Sequence, residues 1–591
     1  MSTSHTAPVR PRRQRATVAL VTVMAVLAAT GAAIKAATVA RVDGPATATA
    51  VAVRAAPPAF GPDVTTPGPI TVPSPTIHFL TVEWSVTGDA NANGRVDVRY
   101  RRAGTATWRD SMPLRRVAAG SNEGHTWPLR HSGSLFDLEA ATTYEVELRL
   151  TDPDGGGDVR TITATTRAVP APMAGAPVVA ATPTTLGAAL AGARPGDVIE
   201  LGAGSYGGFT IARDGEPGRP IVLRGTPGAV VNGEIGLFDR HDVMLTGLTV
   251  NGRIRFNGTD RFTVTRSVVN ATVALGGHGI VTYDRAEDAY IADNVVTGLT
   301  PWTDAAMGAD GDNLGEGILV TGPGHVIEHN RLRGFRDDIS LLEGDVVDQY
   351  SIDIVENEIS EAGDDGVEAD FCHHNCRIVR NRLTNTFVGL SSQPGLGGPT
   401  WFVRNVMFNV AHAAFKLYRG SSGDVILHNT VVKQGDAFGA YPGVPITALY
   451  ARDNLFLGGA PGTYGGYDNG EGKVLAMAYA VAPDLDHDAY GSTVGFDGRV
   501  GDVRFSSLAE LRAVTTEVHA VQVGLDVFAA PVASPPPLVQ HAPADLRLRA
   551  GSPAVDAGVV LPGIDDGYTG AAPDLGAYEL GAPVPAYGPR P

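Results

Sequence analysis

The chain has 591 residues, more than one ordinary domain holds, so two or three domains are expected. It is rich in Gly, Ala, Val, Asp and Thr and poor in Lys, which favours soluble β-structure over helical bundles. A net charge of −17 excludes general nucleic-acid binding, since phosphate recognition needs a basic surface. It also weighs against a polyanionic substrate unless cations or a local basic patch intervene.

Arg10, Arg12, Arg13 and Arg15 precede an apolar run from Ala16 to Ile34, in the order of an export signal. The run of about 19 residues is near bilayer-spanning length. Lys35 interrupts it, and no clean small-x-small cleavage site follows. Residues 1–42 therefore read either as a cleaved signal peptide or as an uncleaved membrane anchor. Both readings place the protein outside the cell, secreted or surface-anchored. The Ala/Val/Thr/Pro-rich stretch 43–67 reads as a flexible linker.

Residues 68–168 carry alternating strands: Leu80–Trp84, Val96–Tyr100, Thr143–Leu148 and Thr161–Thr165, with Asn93-Gly94 as a tight turn. Asp89-Ala90-Asn91-Ala92-Asn93-Gly94 matches half of an EF-hand loop. Tyr100 stands where the bidentate Glu belongs, and strands flank the string, so a hairpin turn is expected. The early Trp84, the segment LEAATTYEVELRLTDPDG and the closing Thr-rich strand resemble a fibronectin type III domain. That resemblance implies a core Trp84, a corner tyrosine at Tyr144, and a spacer or binding module.

Residues 175–580 read as a solenoid. A short helix near Leu186 comes first, placed to cover the first coil. The strings His329-Asn330-Arg331-Leu332, Glu356-Asn357-Glu358-Ile359, Arg380-Asn381-Arg382-Leu383, Arg404-Asn405-Val406-Met407, His428-Asn429-Thr430-Val431 and Asp453-Asn454-Leu455-Phe456 share one form. Their Asn residues recur at steps of 27, 24, 24, 24 and 25, and Asp293-Asn294-Val295-Val296 precedes them. Three short strands per period make one coil of a right-handed parallel β-helix, so the fold class is all-β. Stacking at about 4.8 Å would join the recurring Asn residues into a structural ladder. The last section, with Asp556, Asp574 and PDLGAYE, is expected to close the far end.

The segments seven to fourteen residues after each ladder Asn hold the candidate chemistry. Successive coils give Asp337-Asp338-Ile339-Ser340-Leu341, Asp364-Asp365-Gly366-Val367-Glu368-Ala369-Asp370, Val388-Gly389-Leu390-Ser391-Ser392 and His412-Ala413-Ala414-Phe415-Lys416-Leu417-Tyr418-Arg419. Strand parity turns Val367, Ala369, Phe415 and Leu417 inward and sends Glu368, Asp370, Lys416 and Tyr418 out to solvent. His278 and Glu316 occupy roughly equivalent places on an earlier coil. Carboxylates stacked at coil spacing repel unless a metal ion or shared proton lies between them. Two chemistries use such a face: Ca²⁺-assisted β-elimination with a lysine or arginine base, and inverting hydrolysis with a carboxylate pair. The bland alternative is a solvated acidic surface. Cys372 and Cys376, the two cysteines, are expected to form a short-loop disulfide, with a zinc site or free thiols as the other readings.

The PGDVIEL…GSY opening, the Asn-ladder coils and the GDDGVEAD strand resemble right-handed β-helix polysaccharide lyases, closest to the family-nine pectate lyases. That resemblance implies Ca²⁺ ligands at Asp338 (or Asp337), Asp364, Asp365 and Glu368, with Lys416 as base and Arg419 beside it. Glu368 stands where that family has Asp. The implied protein is a monomeric enzyme acting on an acidic polysaccharide. The alternatives are an inverting hydrolase using Asp338, Asp364 and Asp365, and a non-catalytic glycan-binding or cell-surface β-helix.

Overall fold

The computed structural model describes residues 63–344, 347–440 and 443–591. The basic and apolar N-terminal segment, and the linker as far as residue 62, lie outside the described residues. Among those described, no helix is long and apolar enough to cross a membrane.

The first body is a β-sandwich of β1 (Thr66–Thr71), β2 (Leu80–Thr87), β3 (Arg95–Arg102), β4 (Arg109–Val117), β7 (Arg130–Leu135), β8 (Thr143–Thr151) and β9 (Asp158–Thr165). Between β4 and β7 a small hairpin, β5 (Gly120–Asn122) and β6 (His125–Trp127), projects from it. The strands run antiparallel in the order β1-β2-β7-β4-β3-β8-β9. Period-2 alternation buries Val82, Trp84, Val96, Val98, Val146 and Leu148 between the layers. The Tyr144 hydroxyl accepts a hydrogen bond from the Glu139 amide at 2.9 Å, fixing the corner before β8. Asp89 Oδ1 accepts from the amides of Asn93 and Gly94, so the EF-like string is a self-capped turn. The first strand begins inside the stretch expected to be linker, at Thr66.

The second body is the expected right-handed parallel β-helix. Among the described residues, one parallel sheet holds 15 strands and another 17, with a four-stranded sheet at the C-terminal coils. Ile, Leu, Val and Phe side chains from successive coils fill one continuous core. Helix α1 (Leu186–Gly192) packs Leu186 and Leu190 against the first coils. Helix α2 (Leu508–Val514) buries Leu511 in the same core at the far end, with Ser507 as its N-cap.

The asparagine ladder is continuous. Each side-chain amide donates to the next Oδ1 from Asn294 through Asn330, Asn357, Asn381, Asn405 and Asn429 to Asn454. Asp488 Oδ1 then accepts from Asn454 and ends the run. Each Oδ1 also takes the backbone amide of the preceding Asn, so both ends of the side chain are satisfied. The residue before each ladder Asn has positive φ, 51° to 61° from Asp293 through His329, Glu356, Arg380, Arg404 and His428 to Asp453. This left-handed bend turns the corner and points a column of ionisable side chains outward.

The C-terminal section does not close the end of the solenoid, as its position in sequence suggests; α2 does. Residues after Phe528 instead run back along the outer face, covering Val406, Phe408, Val432, Leu455 and Leu457 with Leu546, Leu548, Leu575 and Tyr578. They continue past residue 580, where Arg590 pairs with Asp293 and Glu328. An outer sheet face rich in apolar residues requires such a cover.

The sandwich packs on the other long sheet. Phe79, Met112 and Phe136 meet Val355, Val379, Trp401, Val403, Val425 and Leu427 in one apolar cluster. At its centre Arg377, fully buried, pairs with Asp353 and donates to Thr81 and Ser134. The sandwich is therefore no free spacer; its hairpin is carried to the edge of the acidic face.

Candidate functional site

Strand register places the candidate residues in two rows. Glu316 pairs with Asp337, which the register carries on to the level of Asp365; Ser340 pairs with Glu368, then Ser391, then Lys416. Lys416 is thus two coils from Glu368 in the same row, and its ammonium reaches back to an ion pair with Asp365.

Asp338 does not share this face. Ile339 opposes Val367, so Asp338 falls level with Gly366. Two consecutive residues turn away from the face at this bend. A Cβ on Gly366 would meet Leu383 at 2.5 Å, and one on Gly389 the Met407 sulfur at 2.4 Å. Asp338 lies fully buried beside the backbone of Phe335 and Ser360, and burial pushes its carboxyl well above the usual range. Of the two aspartates expected here, Asp337 rather than Asp338 faces the cluster. Strict alternation fails at the bend, and the pair Asp337/Asp338 cannot be told apart without it.

Carboxylate oxygens of Asp337, Asp364 and Asp365 all lie within 4.8 Å of one another, and those of Glu343, Glu368 and Asp370 form a second such group. Asp337 Oδ1 accepts the Asp365 amide at 2.7 Å. Ser340 donates to Glu368 and Ser391 to Asp370. Arg336 lies 3.5 Å from both Asp337 and Asp364. Asp365 Oδ1 and Glu316 Oε2 are buried with no hydrogen-bond partner. His278 Nδ1 accepts the Glu316 amide, a positioning contact.

Glu368 and Asp370 point out of the coil as parity requires, but they are only 8% and 0% exposed, not solvated. Burial raises Asp337 and Glu368 well above the usual carboxylate range, with neighbouring carboxylates adding to it. Burial likewise pushes Asp365 up to about 7 and Asp370 up to about 8, against the pull of Lys416. Burial alone would lower the Lys416 ammonium, but Asp365, Asp370, Asp364 and Glu368 outweigh it and raise it well above its ordinary value. Arg419 is turned to Glu123 of the β5–β6 turn at 2.9 Å and lies over the Phe371 ring.

A pocket of about 460 Å³ opens beside the cluster, lined by Asp364, Phe387, His412, Lys416, Tyr418 and Tyr467. Phe387 stacks on His412 at 5.2 Å. The turn carrying Tyr467 is tied across to Asp304 through the Gly465 amide. On the Arg419 side, Asn122 donates to the Arg419 carbonyl and His125 packs on Phe371 and His373.

Cys372 and Cys376 are disulfide-bonded, so their thiolates are not available to zinc. His373 turns to the Val347 carbonyl and His374 lies 3.1 Å from Glu83. Glu343 and Arg336, which flank the Asp337–Leu341 strand, are not singled out by the sequence, because they lie outside the alternating strand positions.

No family model and no curated protein matches the chain. Among solved structures, the family 28 exopolygalacturonase of Yersinia enterocolitica is similar over 74% of this chain and 97% of its own, at 12% identity and a TM-score of 0.33. A PL6 family polysaccharide lyase from Pseudopedobacter saltans is similar over 59% of this chain and 91% of its own, at 12% identity and a TM-score of 0.35.

Proposed function

We propose that this protein is an exported carbohydrate-active enzyme that cleaves an acidic, uronate-containing polysaccharide by Ca²⁺-assisted β-elimination. One observation carries the reading. Asp337, Asp364 and Asp365 bring their oxygens within 4.8 Å of one another, and Lys416 joins them at the wall of an aromatic-lined pocket. So many buried carboxylates repel, and the donor set is all hard oxygen with an unpartnered Asp365 Oδ1, which suits Ca²⁺. Asp337, Asp364 and Asp365 would hold the ion, while Glu368, expected as a fourth ligand, groups instead with Glu343 and Asp370. When bound, Ca²⁺ offsets their charge and, by engaging a uronate carboxylate, acidifies the adjacent ring proton.

Lys416 is the group placed to take that proton, as neutral amine, once its ammonium has left Asp365 and given up a proton to solvent. The ring carbon's electron pair then forms the double bond as the glycosidic C–O bond breaks, and the leaving oxygen takes a proton from water. Phe387 and Tyr467 supply apolar faces for sugar rings. Arg419, fixed by Glu123 at the rim, attracts the acidic chain and takes no part in proton transfer. The sandwich, which we read as fibronectin type III-like, builds that rim, and the enzyme acts as a monomer.

An inverting hydrolase is the second reading, favoured by Asp365 and Asp370 holding protons near neutral pH. A pair drawn from Asp364 and Asp365 is too close for it, since their oxygens lie within 4.8 Å and an inverting pair keeps roughly 6.5–9.5 Å open for water.

The test is a polysaccharide panel with and without chelator, following the unsaturated uronide chromophore. Lys416→Ala should lower turnover about 10²–10⁴-fold with binding retained. Cleavage without the chromophore selects the hydrolase. Binding with no cleavage of any acidic polymer selects a glycan-binding role.

A further inference from the structure

A second cluster lies away from the acidic face, where the returning C-terminal section crosses the corner column. His428 and Asp453 occupy the same left-handed corner on successive coils, directly before ladder residues Asn429 and Asn454. Asp565 comes down on them from the C-terminal section. All three side chains are buried, and their ligand atoms lie within 4.8 Å of one another.

Their contacts leave one set of lone pairs convergent. Asp453 Oδ1 accepts the Val559 amide at 2.9 Å, while its Oδ2 has no hydrogen-bond partner. Asp565 accepts the Leu561 amide through both oxygens. His428 Nε2 lies 3.4 Å from Asp453 Oδ2 and 3.5 Å from Asp565 Oδ2, and it makes no hydrogen bond of ordinary geometry with either. Those separations are long for hydrogen bonds. They match the edge of a tetrahedron, about 3.3–3.5 Å, around an ion with zinc's bond lengths to nitrogen and oxygen. The Val559 amide on Asp453 Oδ1, the oxygen turned away from His428, and the Leu561 amide bridging both Asp565 oxygens are the kind of support that ligating carboxylates commonly have. The nearest cation, Arg404, donates instead to the Ala577 carbonyl.

We propose that His428, Asp453 and Asp565 bind a structural Zn²⁺ that clamps the C-terminal section onto the solenoid. Nitrogen with two carboxylates suits zinc better than the all-oxygen face suits it, and a water completes the four positions. The section is also held there by the Gly576 amide, which donates to the Asp453 carbonyl, and by the Ala577 amide, which donates to the Thr430 hydroxyl. The clamp therefore sits where the section enters its apolar contacts. Its ion is independent of the Ca²⁺ reading, since no ligand is shared.

Zinc content of the full chain, loaded with ZnCl₂ and desalted, tests this by elemental mass spectrometry. About one zinc per chain is expected, lost in His428→Gln and in Asp565→Asn but kept in His519→Ala, which disrupts the exposed Asp486–His487–His519 group. Hydrogen exchange over residues 555–580 should accelerate when the wild-type protein is stripped of zinc and slow when zinc is returned. If either clamp variant fails to fold, Co²⁺ loading of the wild type decides. Intense visible bands of a four-coordinate site support the clamp, and their absence overturns it. No zinc in the wild type, or zinc unchanged in both folded clamp variants, also overturns it.

Discussion

The asparagine ladder and the acidic face are both made by stacking one kind of polar side chain on successive coils, yet they behave in opposite ways. An amide carries donor and acceptor together, so Asn357, Asn381 and Asn405 satisfy one another and the adjoining backbone and need no proton or ion. A carboxylate only accepts, so Asp337, Asp364 and Asp365 cannot satisfy one another when ionised and require protons, Lys416, Arg336 or a cation. Repetition of a self-complementary group gives stability. Repetition of a self-repelling one stores a demand for a ligand.

The sharpest way to break this comparison is to change one member of each stack. Asp365→Asn removes a carboxylate, an ion ligand and the partner of Lys416. Activity should fall at least about 10²-fold, while the apparent melting temperature shifts little, because relieved carboxylate repulsion offsets the loss of the buried Lys416 partner. Asn381→Ala should do the reverse. It strands the Asn357 side-chain and backbone donors and the Ile354 carbonyl, costing about 3 kcal/mol or more at roughly 1–3 per buried group. Folded Asn381→Ala protein should keep its activity, as measured by turnover alongside thermal unfolding. Comparable stability loss in both variants would erase the distinction.

pH sharpens it further. Asp365 and Asp370 titrate near 7 and 8 in the folded chain, above the ordinary aspartate value. Between about 4 and 8 the folded state holds protons that the unfolded state has lost, so these groups make stability fall as pH rises. That fall should be largest in chelator and shrink with added Ca²⁺, read as the melting temperature across pH. The ladder amides do not titrate and contribute no slope. The smallest effect belongs to the disulfide. Cys372 and Cys376 close a loop with a sequence separation of 4, so replacing both with Ser should cost about 2 kcal/mol in the loop-entropy picture. Activity should drop only if the Phe371 side of the pocket loosens.

Much of this is legible in the residues alone. Period and form of the Asn strings specify a coil repeat because a buried Asn at every corner is tolerable only when each has a neighbour to bond. Inward and outward parity at Val367, Glu368, Phe415 and Lys416 follows from the two-residue period of a strand, and the structure keeps it. Proximity of Lys416 to Asp365 is implicit in the coil count.

Other features depend on contacts that no local pattern encodes. Asp337 and Asp338 exchange places because the bend at the Gly366 level turns two successive residues away from the face, which no alternation rule anticipates. Parity alone sends outward side chains into water, but neighbouring loops bury Glu368 and Asp370, and that burial moves their pKa values. Arg419 is claimed by Glu123, almost three hundred residues earlier, only because the sandwich docks through Phe79, Phe136 and Trp401. Strand periodicity is a property of the backbone and is written residue by residue. Burial, charge and partnership on an outer face depend on what packs there, and in this chain only the tertiary structure decides that.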